Sequence, residues 1–213
     1  FLEIKAIQKS TPSKGILFSL MINHDHKFIF IHNNRTGGTS VEYFFTQETE
    51  VANKHFFPLD WIKHFPKEWE TYFKFSIVRN PWDKVLSQWA LDKKRYGDKG
   101  FAKTFKEFVK YPQGFPLRPQ LHFLSDPNRV DYQDIVDYVE RNIDYIMKFE
   151  SLEQDFDKLC NKLGVSNTGL PHKYPSTSIR RKTPYQEYYD DETRDIVSRI
   201  YDIDIKYFGY GFD

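Results

Sequence analysis

Lys27-Phe28-Ile29-Phe30-Ile31-His32-Asn33-Asn34-Arg35-Thr36-Gly37-Gly38-Thr39-Ser40 decides how this chain is read. Residues 27–32 are aromatic and β-branched and stop at an Asn pair, the pattern of a buried strand. A glycine-containing loop follows. Thr39 and Glu42 then have capping-box spacing, so a helix is expected from there through Tyr43-Phe44-Phe45. Strand, loop and helix N-terminus in that order are the layout of an anion site, because loop N–H groups converge there and the helix dipole favours negative charge. Arg35, Thr36, Thr39 and Ser40 add side-chain donors, and Gly37-Gly38 lets the backbone approach an anion closely. On layout alone, a plain surface turn before a helix reads equally well. A triphosphatase loop fits poorly: G-x-x-x-x-G-K-[ST] is absent, and the next strand has no terminal carboxylate for magnesium. A phosphate-like anion handled without metal is the better fit.

Outward from this stretch, Tyr72-Phe73-Lys74-Phe75-Ser76-Ile77-Val78-Arg79 reads as a second strand that stops at Asn80-Pro81. Asn80 is a good N-cap and Pro81 a good first helical residue, so a helix is expected over about Trp82 to Arg95. Arg79 sits at the strand exit, and Ser87 lies eight residues on, in the second turn of the helix. A guanidinium grips phosphate bidentately, and a helical Ser adds a further bond. The competing reading pairs Arg79 with Asp83.

Further along, a short helix is expected over 104–110, then a Pro-broken loop from Pro112 to Pro119, and a buried strand over 143–149. Ser151 and Gln154 have capping-box spacing ahead of a helix with Phe156, Leu159, Cys160 and Leu163 on its apolar face and Gly164 at its end. A basic, polar loop covers His172 to Thr183. A final helix starts between Pro184 and Asp191 and carries Ile196, Val197, Ile200 and Tyr201. The alternation predicts an α/β fold, a central parallel sheet flanked by helices, as one domain over 1–213. Ligands in such sheets bind at the carboxyl ends of the strands.

Composition narrows the function classes. With 31 Lys+Arg against 30 Asp+Glu in 213 residues, the net charge is +1, which argues against a nucleic-acid partner. Cys160 is the lone cysteine, so no intramolecular disulfide and no multi-Cys metal site is expected. No apolar run approaches the roughly 20 residues of a membrane span. His24 and His26 form a His-x-His pair with no third ligand in register, so no metal site is expected. Trp61, Trp82 and Trp89 offer rings for stacking on sugars, but the helical spacing of Trp82 and Trp89 favours the core. Lys93-Lys94-Arg95 reads as a solvated helix end.

Taken together, the two strand ends carry a resemblance. Residues 28–40 resemble the 5′-phosphosulfate loop of sulfotransferases, and residues 73–87 resemble their 3′-phosphate motif, with Arg and Ser at the family separation. Lys148-Phe149-Glu150, Asp155-Phe156 and the ending Asp204 to Tyr210 also look like this family, in the branch that includes carbohydrate sulfotransferases and bacterial relatives.

The resemblance implies a P-loop-NTPase-like sulfotransferase fold and transfer of a sulfuryl group from 3′-phosphoadenosine 5′-phosphosulfate (PAPS) to an acceptor hydroxyl, on a carbohydrate or another hydroxylated compound. The product is adenosine 3′,5′-bisphosphate (PAP), and no metal is implied. By the same resemblance, Arg35, Thr36, Gly37, Gly38, Thr39 and Ser40 hold the 5′-phosphosulfate and Arg79 and Ser87 hold the 3′-phosphate. Ser178 and Arg180 in the late basic loop form a lid, and Arg118, Gln120 and His122 face the acceptor. Where the family carries Pro-Lys, this chain has Asn34-Arg35. Arg35 keeps the charge but cannot give up a proton, so an electrostatic role is expected of it. The same departure leaves open a catalytically degenerate relative that only binds PAPS or PAP. His55 lies where relatives carry a catalytic histidine and is the expected base, with Glu42 and His32 as alternatives. Luminal relatives carry a membrane anchor and several cysteines, so a cytoplasmic enzyme of bacterial or viral origin is expected.

Overall fold

A computed structural model describes residues 22–47, 55–100, 102–111, 117–126, 128–171 and 183–213. Its centre is a four-stranded sheet in the order β1 (Ile22–Asn23), β2 (Phe28–Ile31), β3 (Phe73–Val78), β4 (Tyr145–Lys148). β2 pairs in parallel with β3, from Phe28 opposite Phe73 to Ile31 opposite Ser76. β3 pairs in parallel with β4, from Phe75 opposite Tyr145 to Val78 opposite Lys148. The carboxyl ends of all three strands therefore share one edge. The short β1 joins antiparallel to β2, an addition to the parallel sheet expected from sequence.

Ten helices accompany the sheet among the described residues: α1 (Gly38–Thr46), α2 (Pro58–His64), α3 (Pro66–Thr71), α4 (Pro81–Tyr96), α5 (Phe105–Lys110), α6 (Gln120–Leu124), α7 (Tyr132–Asn142), α8 (Leu152–Leu163), α9 (Asp191–Ile200) and α10 (Asp202–Phe208). This is the expected α/β class. Strands β2 and β3 are buried on both faces; β2 is an unbroken apolar run, whereas β3 includes Lys74 and Ser76, which donate to the carbonyls of Tyr72 at 2.8 Å and Ile31 at 2.6 Å. Phe28, Phe30, Phe75, Ile77, Met147, Phe156 and Leu159 form the core on the sheet. Trp82, Val85, Leu86, Phe105, Phe108, Val197 and Tyr201 form a second cluster between α4, α5 and α9. Trp61 and Trp82 are core residues, 3% and 4% exposed.

Local signals behave unevenly. At α4 the Asn80 side chain accepts from Trp82 N at 3.1 Å, with Pro81 leading the helix as expected. At α1 the expected Thr39–Glu42 box does not form. The helix starts one residue earlier, behind Gly37, because Glu42 is buried and hydrogen-bonds His32 instead of its own N-terminus. At α8 the Ser151 hydroxyl donates to Asp155 at 2.8 Å, so Asp155 and not Gln154 serves that turn. The expected last helix divides at Tyr201 into α9 and α10, which lets Asp204 turn inward.

Candidate functional site

Arg79 leaves β3 into the protein interior, 2% exposed. Its Nε and one terminal nitrogen donate to Asp83 Oδ2 at 2.8 and 2.6 Å. The other terminal nitrogen donates to the carbonyl of Arg35 at 2.9 Å. Its guanidinium lies 3.9 Å over the ring of Phe149, just past β4. One residue thus ties the exits of β2, β3 and β4 together. The Asp83 pairing considered as a competing reading is present, alongside the link to the loop after β2.

That loop is shaped by its backbone. Arg35 adopts φ 61, a left-handed conformation that side chains other than glycine rarely take. The turn directs its guanidinium across to α4, where Nε and a terminal nitrogen donate to Ser87 Oγ at 3.1 and 2.8 Å. Thr36 is wholly buried, and its hydroxyl donates to the Asn33 carbonyl at 2.7 Å, closing the loop from inside. Gly37 takes φ 86, and a Cβ there meets Leu152 and Phe149 at 3.0 Å. At Gly38 a Cβ meets the His32 ring at 2.5 Å. The glycine pair is therefore required by close approach on one side, and it leaves the first turn of α1, with Thr39 and Ser40, at the mouth of the loop.

His32 ends β2 and is 3% exposed. Its Nδ1 is hydrogen-bonded to Glu42 of α1. The His55 ring stands edge-on to it, centroids 4.8 Å apart, and His55 Nδ1 contacts the His32 carbonyl at 2.9 Å. A carbonyl only accepts, so this bond places a proton on Nδ1 and, in the neutral ring, the lone pair on Nε2. His55 is exposed, whereas Glu42 and His32 are shut inside.

Of the three residues expected at the acceptor, two lie beside the His55 segment. The exposed Arg118 guanidinium is 5.6 Å from the ring of Phe57, and Phe57 packs on Phe123 at 4.8 Å. His122 is partly buried, and burial, then the charge of Arg118, push its pKa down. Gln120 is placed differently. It is wholly buried. Its Oε1 accepts from Arg79 N at 2.9 Å and Asn33 Nδ2 at 3.1 Å, and its Nε2 donates to Arg79 O at 2.8 Å. Asp204, also wholly buried, accepts from Gln120 N at 2.7 Å and Leu121 N at 3.0 Å. Burial raises the Asp204 pKa to about 6 despite these donors.

Ser178 and Arg180 lie outside the described residues. His24 contacts the Tyr72 hydroxyl at 2.9 Å, and no metal-sized group of three or more His, Cys, Asp or Glu occurs among the described residues.

The two motifs thus meet: residues at the exits of β2 and β3, separated by about fifty positions in sequence, bond directly to one another. Comparison with known proteins agrees with what this meeting suggests. A model described as "Sulfotransferase family" matches residues 18–211. The chain belongs to the sulfotransferase family. Carbohydrate sulfotransferase 10 of Mus musculus is 22% identical over 97% of this chain and 71% of its own length. The Homo sapiens protein of the same name is 20% identical over the same shares. An uncharacterized protein of Archaeoglobus fulgidus is 37% identical over 46% of this chain and 73% of its own length. No solved structure matches this chain significantly. Among the described residues, no helix of this sulfotransferase is long and apolar enough to cross a membrane.

Three site residues escape sequence reading. Lys84 is buried on α4, and its position between Asp83 and Ser87 is a usable signal. Asn33 and Asp204 act through contacts that no local pattern reveals.

Proposed function

We propose that this sulfotransferase uses PAPS as donor and the hydroxyl of a carbohydrate, or another hydroxylated compound, as acceptor. The observation that carries the reading is the lock between Arg35, Ser87 and Arg79. It joins a loop whose make-up suits a phosphosulfate to an Arg–Ser pair whose make-up suits a 3′-phosphate, at the strand ends. When bound, the donor supplies the activated sulfuryl group, with PAP as the leaving product.

The chain's own residues have separable tasks. The N–H groups around Gly37 and Gly38, with Thr39 and Ser40, face the 5′ side, where the helix dipole of α1 adds favourable potential. Arg79 and Ser87 take the 3′ side. Arg35 holds positive charge where negative charge grows on the leaving oxygen and donates no proton. His55 takes the acceptor proton at Nε2, since Nδ1 is committed to the His32 carbonyl. Thr36 is buried and shapes the loop. Arg118 and His122, beside the His55 segment, line the acceptor approach, while Gln120 supports the strand ends from behind. Ser178 and Arg180 remain proposed as a lid over the nucleotide.

Thermal shift with PAP against ADP tests the donor. Stabilisation by PAP well above ADP is expected, and equal shifts overturn the 3′-phosphate assignment. Transfer of labelled sulfate from PAPS to a glycan panel tests catalysis. An inactive protein made active by Arg35→Lys establishes the degenerate reading instead, and full turnover by His55→Ala removes His55 as base.

A further inference from the structure

Lys84 is 3% exposed on α4, next to Asp83, which pairs with Arg79, and one turn before Ser87, which accepts from Arg35. Positions 84 and 87 are helical neighbours, so both side chains leave α4 on the same side. A buried ammonium is ordinarily ion-paired and hydrogen-bonded, because taking it out of water is costly. Lys84 Nζ has no ion pair and no hydrogen bond among the described residues, and its described neighbour is the face of Tyr201 at 5.8 Å. The nearby carboxylate on α10, Asp204, is occupied with the N–H groups of Gln120 and Leu121. The other charges that act on Lys84 are Arg79 at the end of β3 and Arg35 in the loop after β2, both repulsive. Burial, with those two cations and against the attraction of Asp204, holds its pKa down at about 8.

The charge of the subsite points the same way. Arg79 is neutralised by Asp83. An Arg79–Ser87 pair alone therefore offers a phosphate dianion little net attraction.

We propose that Lys84 is a further binding residue of the 3′-phosphate subsite, its ammonium buried with no carboxylate in ion-pair contact because the phosphate takes that place. The inference rests on the donor reading above. It makes Lys84 specific for the 3′-phosphate and indifferent to a nucleotide that lacks it.

The test is Lys84→Met, close in volume and apolar, with calorimetric titration of PAP and of adenosine 5′-phosphate at pH 7. The expected result is a PAP affinity lower by roughly 10- to 100-fold, the range of a lost charge-assisted bond. Affinity for adenosine 5′-phosphate should change less than about 2-fold, and the ligand-free melting temperature should hold or rise as an uncompensated buried charge is removed. A wild type that binds PAP tightly beside a variant that binds it equally well overturns the inference and leaves the donor reading standing. Equal losses for both nucleotides also overturn it. A wild type that does not prefer PAP to adenosine 5′-phosphate overturns the donor reading itself. A second measurement needs no variant. Burial holds the Lys84 pKa down at about 8, so PAP binding to the wild type near pH 8 should draw in protons, seen as a dependence of binding heat on buffer ionisation. Asp204 is already ionised at that pH, Arg79 and Arg35 stay charged and Tyr201, raised by burial, stays neutral. Absence of uptake overturns the inference.

Discussion

Replacing Gln120 by Leu separates a residue that holds the site from one that meets the acceptor. The two side chains are similar in size, so packing changes little and hydrogen bonding changes completely. Leucine leaves Arg79 N–H, Arg79 C=O and the Asn33 amide without the partners they have at 2.9, 2.8 and 3.1 Å. Asn33 and Arg79 are each 2% exposed, so water cannot easily replace the lost amide. An unsatisfied buried group costs about 1–3 kcal/mol. Three neighbouring groups relax together and do not add fully, so the expected loss is ~3–5 kcal/mol. That is a large part of a total stability of ~5–15 kcal/mol. Urea unfolding followed by fluorescence should show a much lower midpoint with an unchanged slope, and the melting temperature should drop by roughly 10 °C. Arg118→Ala, at an exposed position on the same segment, should stay within about 0.5 kcal/mol of wild type. If Gln120→Leu unfolds at the wild-type midpoint and raises only the KM for acceptor, the reasoning is refuted and Gln120 belongs to the acceptor site.

Gly38→Ala should destabilise by ~1–3 kcal/mol and weaken PAP binding, because its methyl meets a His32 ring held by Glu42; thermal melts and titration check this. Asp204 has a folded pKa of about 6 against 3.8 unfolded, so its stabilising share is full below pH 4 and lost as pH rises through 6. The stability of wild type relative to Asp204→Asn should therefore fall between pH 4 and 6, and urea midpoints across that range that run parallel would contradict it. Cys160, 1% exposed with its thiol pushed up to about 11 by burial, should resist a thiol reagent in the native state and react at once in urea.

What sequence makes legible here follows from the range of the forces involved. Phe28 to Ile31 announces itself because a strand buried on both faces is continuously apolar, and Phe73 to Val78 because its aromatic and β-branched residues outweigh Lys74 and Ser76. The α4 start is legible because Asn80 and Pro81 act within one turn. Capping boxes are also local, yet neither of the two expected forms. Glu42 had a second partner available in His32, and Asp155 lay nearer Ser151 and Lys148 N than Gln154 did. Helix α7 was legible but passed over: Asp131 caps it at 3.0 Å, and Ile135, Val136 and Val139 form its buried stripe.

The Arg79–Ser87 motif itself shows the limit most clearly. Arg79 and Ser87 can be read from spacing, but what holds them cannot. Asn80 N donates to Glu150 at 2.6 Å, and the Asn80 side chain donates to the Gly211 carbonyl at 2.7 Å. Lys148 Nζ reaches the Phe208 carbonyl at 2.7 Å, and Asp204 anchors Gln120, which grips Arg79 from the other side. The β3 exit is thus clamped by β4's end, by α6 and by the C-terminal residues, all remote in sequence. On these terms a near-neutral chain is compatible with the polyanionic nucleotide proposed for it. Its total charge of +1 says little, because Asp83 already cancels Arg79, while Arg35 and Lys84 are held near enough to repel one another by residues remote in sequence.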